Sequence, residues 1–546
     1  MAGAFSLGLL AVVPGELCRV VGSLPLSMAL AAVGFALVAI LERGVGEVAR
    51  AERALAMKRP AWPALLIGAL GFACVVDGAI TRNFFDEEHH VPMAMVIARG
   101  IVPPEHPLVP GQIIPYHWGI DALYAQLAVA GLRPDNAIDV VTILSWPLLL
   151  GAAALFGSAF AGKRGATLAM ILAPLAGSPF AWPLHDGMGI LQLTSHYPKS
   201  WIDWTHRPPP LTADFFQHPQ GLAFPLVLVI ITLWCASSST STSRKALAAL
   251  LLACLSLIQA IHFLVLGFGL FAASLSYVVV DRAGRRFARD IAWLALALVL
   301  AVLCGGFFAP GASTASTLLW NTDFFADTSF GERVVHHLAI FGLPLLLLPL
   351  AWRLERVGRV LVLGAAIGFF LPNVVTYAGS WDIVKLYSAG GFLAGAAVAL
   401  TLANALASTV VSVSKRRLRT AAVAVCTALT LWFPLAWMAS RTILQGHLEV
   451  PKKVDWRLRD DVLAVGRAAW PLIPAHSRVL VGDPELARMN GLLSPGFDPK
   501  RYANGHMLDF AKARRLQSAR DVAMKTLDPV AIEQLDVDYA LLLKRE

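Results

Sequence analysis

Apolar runs of close to twenty residues recur along the chain, separated by two kinds of polar segment. They cover residues 24–41, 62–80, 137–161, 165–182, 221–235, 246–261, 263–280, 291–308, 334–351, 360–377, 387–406 and 420–439. A helix of that length crosses the hydrocarbon core of a bilayer while satisfying its own backbone, so about twelve crossings are predicted. Residues 1–13 are apolar but short, and read either as a thirteenth crossing or as an interfacial segment. The absence of a basic stretch before them argues against a signal peptide. The predicted fold class is therefore mainly α, a polytopic helical membrane protein.

Charge orients these runs. Arg43, Arg50, Arg53, Lys58 and Arg59 fill the segment after the first run. Lys163/Arg164, Arg244/Lys245, Arg282–Arg289, Arg353–Arg359 and Lys415–Arg419 fill every second segment after that. The positive-inside rule makes these cytoplasmic. The alternation holds only if 246–280 is a helical hairpin turning near 259–262, and it leaves the chain beyond 439 outside. All fourteen histidines fall in outer segments, at outer helix ends or in the tail. An asymmetry that anchoring does not require points to the outer face as the working surface.

Composition narrows the class. Of 546 residues, 57% are hydrophobic and 15% charged, and mean hydropathy is +0.64, far from a soluble domain. The net charge of +9 is dispersed over short loops, without the continuous basic face that nucleic acid requires. The six cysteines lie in or beside apolar runs with no CxxC, and read as small buried hydrophobes.

Two outer segments are long. Residues 81–136 carry Phe84-Phe85-Asp86-Glu87-Glu88-His89-His90, a Pro-rich run 102–115, then Tyr116-His117-Trp118 and an amphipathic stretch 120–132, expected to lie in the interface as a helix. Residues 183–220 carry His185, Asp186, Lys199, Trp201, Trp204, His206, Arg207 and His218. Long segments with this aromatic content are commonly functional. After 448 the composition turns polar, with helical periodicity over 456–470, a strand at 478–481, a helix or turn at 484–492, a helix at 528–534 and a closing strand at 537–542. A small extracytoplasmic α/β domain is predicted there. The organisation that follows is 1–61 (N-terminal membrane segments and cytoplasmic loop), 62–440 (transmembrane body with both outer loops) and 441–546 (tail domain).

The chemistry concentrates at Asp86 and Glu87. Adjacent carboxylates above the hydrocarbon edge suit a step in which one takes a proton from an attacking hydroxyl, since partial desolvation and a like charge raise one pKa. The competing reading is a solvated acidic loop. An Asp-Glu pair in the first large outer loop, within about a dozen crossings, resembles the GT-C superfamily of glycosyltransferases, including protein O-mannosyltransferases and aminoarabinose-type lipid A transferases. That resemblance implies a sugar donor on a polyprenyl phosphate and transfer at the outer face of the bacterial inner membrane to a glycan, lipid or protein acceptor. It implies Asp86 as general base and Glu87 as an acceptor-positioning or metal-assisting partner.

A leaving phosphate needs cations, and Lys199, Arg207 and Lys385 are rare basic residues on the outer side. Lys385, after Trp381, reads equally as an interfacial lysine beside an anchoring tryptophan. Glu88, His89, His90, Tyr116, His117, His185 and His218 are the candidate substrate contacts. His89 and His90 with Glu87 have the donor types for a divalent cation, Mg or Mn, with His336/His337 as possible completing ligands, but the spacing matches no established motif. Gln259 and His262 read as polar plugs in the bundle. No nucleophile elbow, phosphate loop or dinucleotide fingerprint occurs in a suitable context. A flippase or transporter of a lipid-linked glycan is the alternative class, with an O-antigen ligase or polymerase as a third. The first predicts charges at mid-membrane, whereas the runs here are mostly uncharged at their centres.

Overall fold

The computed structural model describes residues 2–45, 61–81, 87–106, 109–113, 116–177, 219–235, 242–280, 284–306, 318–320, 330–377, 385–407 and 413–439, with short pieces of the tail. The chain is mainly helical. In order come α1 (Ala2–Val21), α2 (Leu24–Val45), α3 (Trp62–Thr81), α4 (Glu87–Ala98), β1 (Glu105–His106), β2 (Val109–Ile113), α5 (Gly119–Val129), α6 (Pro134–Leu175), α7 (Pro219–Cys235), α8 (Thr242–Ile258), α9 (Ala260–Val279) and α10 (Gly284–Leu303). There follow β3 (Leu318–Trp320), α11 (Phe330–Leu347), a 3-10 turn (Leu348–Leu354), α12 (Glu355–Phe370), β4 (Val375–Tyr377), α13 (Lys385–Ala407) and α14 (Val413–Ala439). Among the described residues three helices, α6, α9 and α13, are long and apolar enough to cross a membrane.

The predicted turns are where the backbone breaks. Inside α6, Ala161 and Gly162 leave helical geometry, with Gly162 at φ 62°, so the element is two legs. The first covers the run 137–161; the second starts with the run 165–182 but ends at Leu175, with 178–182 outside the described residues. Gly157 and Gly165 face each other across the turn so closely that a Cβ on either would meet backbone. Gln259 is extended (φ −156°, ψ 99°) between α8 and α9, at the turn required by the charge alternation.

Close approaches sort the helix ends. Lys245 of α8 pairs with Asp290 of α10 at 3.0 Å and lies 3.7 Å from the Trp234 ring centroid of α7. Arg359 of α12 reaches Ser276 of α9 at 3.4 Å. Arg164 donates to the Leu406 carbonyl, and Arg419 to the Ala405 carbonyl at 3.2 Å. The α9–α12 and α12–α13 pairs run antiparallel, because Gly364 meets both Gly269 and Leu393 while Gly368 meets Gly390. The basic turns thus gather at one end of the bundle, the basic end. Trp118, Leu257 and Gly306 meet at the other, the far end.

Several expectations are corrected. The helix α1 runs past residue 13 to Val21, through Pro14, with Glu16 and Arg19 paired at 2.9 Å in its last turns. The run 360–377 is not one span, since α12 ends at Phe370 and residues 375–377 form β4, antiparallel to β3. The stretch 120–132 does not lie on a surface: α5 is buried along its first eight residues, Gly119 to Gln126. It packs beside α1, to which Gln126 donates at the Leu10 carbonyl at 2.7 Å. The tail pieces are a short helix (Pro529–Glu533) and a parallel pair, Val479–Val481 with Tyr539–Leu541. They do not establish the expected C-terminal α/β domain. Residues 484–492, and all of 456–470 but 464 and 468, lie outside the described residues.

Candidate functional site

The far end holds a histidine–aspartate pair that the segment 81–136 makes with itself. His90 sits in the first turn of α4 and Asp121 in the first turn of α5, and Nδ1 of His90 lies 2.6 Å from Oδ1 of Asp121. Their side chains are 1% and 0% exposed. The entry to α5 explains the depth of the pair. Gly119 lets the helix start against α8, where a Cβ would come 3.0 Å from the Leu257 carbonyl oxygen and 3.2 Å from Val12. Trp118 is fully buried behind it.

Aromatic rings wall the pair. His90 is edge-on to Tyr124 with centroids 6.2 Å apart and tilted to Tyr116 at the same distance. Tyr116 stacks on His117 at 3.8 Å. Burial pushes the Asp121 carboxyl above the ordinary carboxylate range, and the neighbouring His90 pulls it partly back. With one proton shared between them the pair is neutral overall, the form that a water-poor site tolerates. The second oxygen of Asp121 has no hydrogen-bond partner among the described residues. Chemically, Asp121 fixes the ring of His90 through Nδ1 and commits its Nε2 to the opposite side.

A second cluster lies at the same end. Lys385 opens α13 and is 9% exposed. His262, in the first turn of α9, is 2% exposed and edge-on to Phe224, with centroids 4.9 Å apart. Phe224 in turn meets Phe392 of α13 at 4.6 Å. Neither ring nitrogen of His262 has a hydrogen-bond partner among the described residues, and Lys385 is within electrostatic reach of it. A buried imidazole beside an ammonium at a helix N-terminus is chemistry suited to an anion.

The sequence-predicted residues are distributed as follows. Asp86, His185, Lys199, Arg207 and His218 lie outside the described residues. Glu87, Glu88 and His89 are in the first turn of α4, and His336 and His337 are in α11, by backbone only. His90, Tyr116 and His117 are brought together, with His117 buried against Tyr116 rather than presented to solvent. Lys385 is buried, which removes the reading of an interfacial lysine extended toward water. No group of three or more metal-ligating side chains occurs among the described residues, and Nδ1 of His90 is engaged by Asp121. Should His90 hold a cation, it would do so through Nε2, with Asp121 orienting the ring.

Sequence reasoning missed Asp121, Tyr124 and the partnership of His262 with Lys385. A carboxylate inside Gly-Ile-Asp-Ala-Leu-Tyr was the available signal, because a charge on an otherwise apolar helix needs a buried partner. The tail also reaches this end, where Arg99 donates to the Pro474 carbonyl at 2.8 Å. All six cysteines are free. No protein-family model matches the chain, and no curated protein or solved structure is found similar to it.

Proposed function

We propose that this chain is a multi-pass inner-membrane glycosyltransferase that moves a sugar from a polyprenyl-phosphate donor to a glycan, lipid or protein acceptor at the outer face. The observation that carries this reading is the presence of two buried polar clusters at the same, far end. One, His90–Asp121, anchors the helix that begins at Glu87, directly after Asp86. The other, Lys385 with His262, offers an anion site. A transfer from a phosphate-linked sugar needs both a base for the acceptor hydroxyl and cationic groups for the departing phosphate.

In this mechanism Asp86 takes the proton of the acceptor hydroxyl as that oxygen attacks the anomeric carbon. Glu87 orients the acceptor, and His90, locked by Asp121, holds the first turn of α4 in register. The bond from the anomeric carbon to the phosphate oxygen breaks, and the polyprenyl phosphate leaves toward Lys385, with Lys199 and Arg207 as further cationic contacts. Mg or Mn would enter through Glu87, His89 and His90. Expression of Asp86→Asn and Glu87→Gln in place of the native chain tests the reading. The expected result is loss of the modified envelope glycan with accumulation of the polyprenyl-phosphate sugar. Unchanged glycans and unchanged donor pools in both variants would overturn it, and a chelator titration decides the cation.

A further inference from the structure

The opposite, basic end holds a second feature, independent of the proposed reaction. Between the second leg of α6, the C-terminal end of α13 and the length of α14 runs a groove of about 770 Å³, lined by Leu168, Leu406, Val423, Thr427, Leu431 and Trp432 among others. That volume falls in the range of about 300–1,000 Å³ typical of small-molecule sites. From Thr420 to Leu435 its α14 wall extends about 22 Å at 1.5 Å per residue, more than the roughly 15 Å of one hydrocarbon leaflet. The walls are nearly all carbon. The side-chain oxygen of Thr427 is buried in them without a hydrogen-bond partner among the described residues.

The mouth of the groove is cationic. Arg164 donates to the Leu406 carbonyl and Arg419 to the Ala405 carbonyl, so two guanidinium groups straddle the end of α13 where the groove opens. Lys163, Lys415, Arg416 and Arg417 are exposed around them. The described stretches at this mouth, 161–167, 404–407 and 413–420, contain no Asp or Glu. An apolar slot of leaflet length under a ring of cations complements one kind of molecule: an acyl chain joined through an ester to a phosphate headgroup.

We infer that this groove is a binding site for an anionic glycerophospholipid, its phosphate at Lys163, Lys415, Arg416 and Arg417 and its acyl chain running along α14 past Thr427. The test is native mass spectrometry of the purified full chain in neutral detergent, offered equal amounts of phosphatidylglycerol and phosphatidylcholine. The expected result is retention of phosphatidylglycerol with a preference of about ten-fold or more, given the attraction of several cations for one anionic headgroup. Replacing Lys163, Lys415, Arg416 and Arg417 together by Gln should abolish the preference. Ala428→Trp, a substitution at an exposed position lining the groove, should abolish retention of phosphatidylglycerol while the melting temperature is kept. Equal retention of the two lipids by the native chain would overturn the inference, as would a preference surviving in the quadruple variant. So would displacement of phosphatidylglycerol by an equal amount of polyprenyl phosphate, or a lipid-free groove in a dimer.

Discussion

The two ends of the bundle each bury one acid against one base, and the contrast between these pairs separates structure from chemistry. At the basic end Lys245 and Asp290 lie 3.0 Å apart between helices α8 and α10, with the Trp234 ring over the ammonium. This pair ties the start of α8 to the start of α10, and its role is to hold helices together. At the far end the base is a histidine, whose proton is mobile near neutrality. That pair joins two short helices of a single segment, next to stacked aromatic rings and directly behind a run of carboxylates. One pair is a clamp, and the other is placed to support the proposed site.

The sharpest test of the contrast lies in Asp86. If the far end does the chemistry, Asp86→Asn should lower the transfer rate by about 10²–10⁴-fold, the usual contribution of a general base. Binding of the donor, measured by equilibrium retention, should stay within a few-fold. Single removal of a basic-end partner should do the reverse. Asp290 is 1% exposed, and Asp290→Ala leaves a buried ammonium without its counter-ion, a loss of about 3–5 kcal/mol in unfolding experiments. The double variant Lys245→Met/Asp290→Leu should recover most of that stability, since a well-packed apolar pair replaces a buried ionic one at little cost. Activity in the double variant should match the native chain. A double variant that is stable but inactive would show that the basic end also takes part in the reaction.

The fold and the site were unequally legible. Period and length marked the helices, and charge alternation required the turn at Gln259, because each span must hide its backbone and the rule for loops is statistical but strong. Boundaries failed where hydropathy and hydrogen bonding part company. Residues 371–377 are apolar, yet Pro372 cannot donate the bond that would continue α12, and the segment pairs as β4 instead. The amphipathic pattern of 120–132 points to an interface, but Asp121 and Gln126 do not face water. They are the polar atoms that a buried helix spends on His90 and on the Leu10 carbonyl. Such partners are 31 and 116 residues away, and no local pattern announces them.

Two substitutions of Asp121 sharpen the far-end half of the comparison. Burial raises this carboxyl, so the folded chain holds its proton more tightly than the unfolded chain does. The stability linked to the group is then fully present below the unfolded carboxylate pKa of about 3.9 and is lost as pH rises through the higher folded value. Asp121→Asn keeps an oxygen for Nδ1 of His90 and removes the titration. Its unfolding free energy should therefore lose less than that of the native chain between acid and neutral pH, while transfer activity falls because His90 is no longer held in one tautomer. Asp121→Ala also strips the hydrogen bond from a fully buried ring and should cost about 1–3 kcal/mol at acid pH, shrinking as pH rises because it too lacks the titration. Thermal unfolding at several pH values distinguishes these outcomes; identical pH dependence in native and Asn chains would sink the assignment of the carboxyl.

The smallest expected effect tests whether the second far-end cluster belongs with the first. Lys385→Gln removes an ammonium from a position 9% exposed at the start of α13. If it meets the donor phosphate, the donor KM should rise about ten-fold, the loss of one charge-assisted contact of roughly 1.5 kcal/mol. Acceptor KM should be unmoved. His262→Phe should give a smaller rise in the same parameter, since its ring already packs edge-on to Phe224 and the replacement preserves that contact. Donor analogues lacking the phosphate discriminate further. They should bind the native and Gln chains equally weakly, because Lys385 then has nothing to recognise. A variant that instead lowers kcat with every donor, charged or not, would assign Lys385 to holding α13 in place, and the phosphate would have to be met by Lys199 or Arg207.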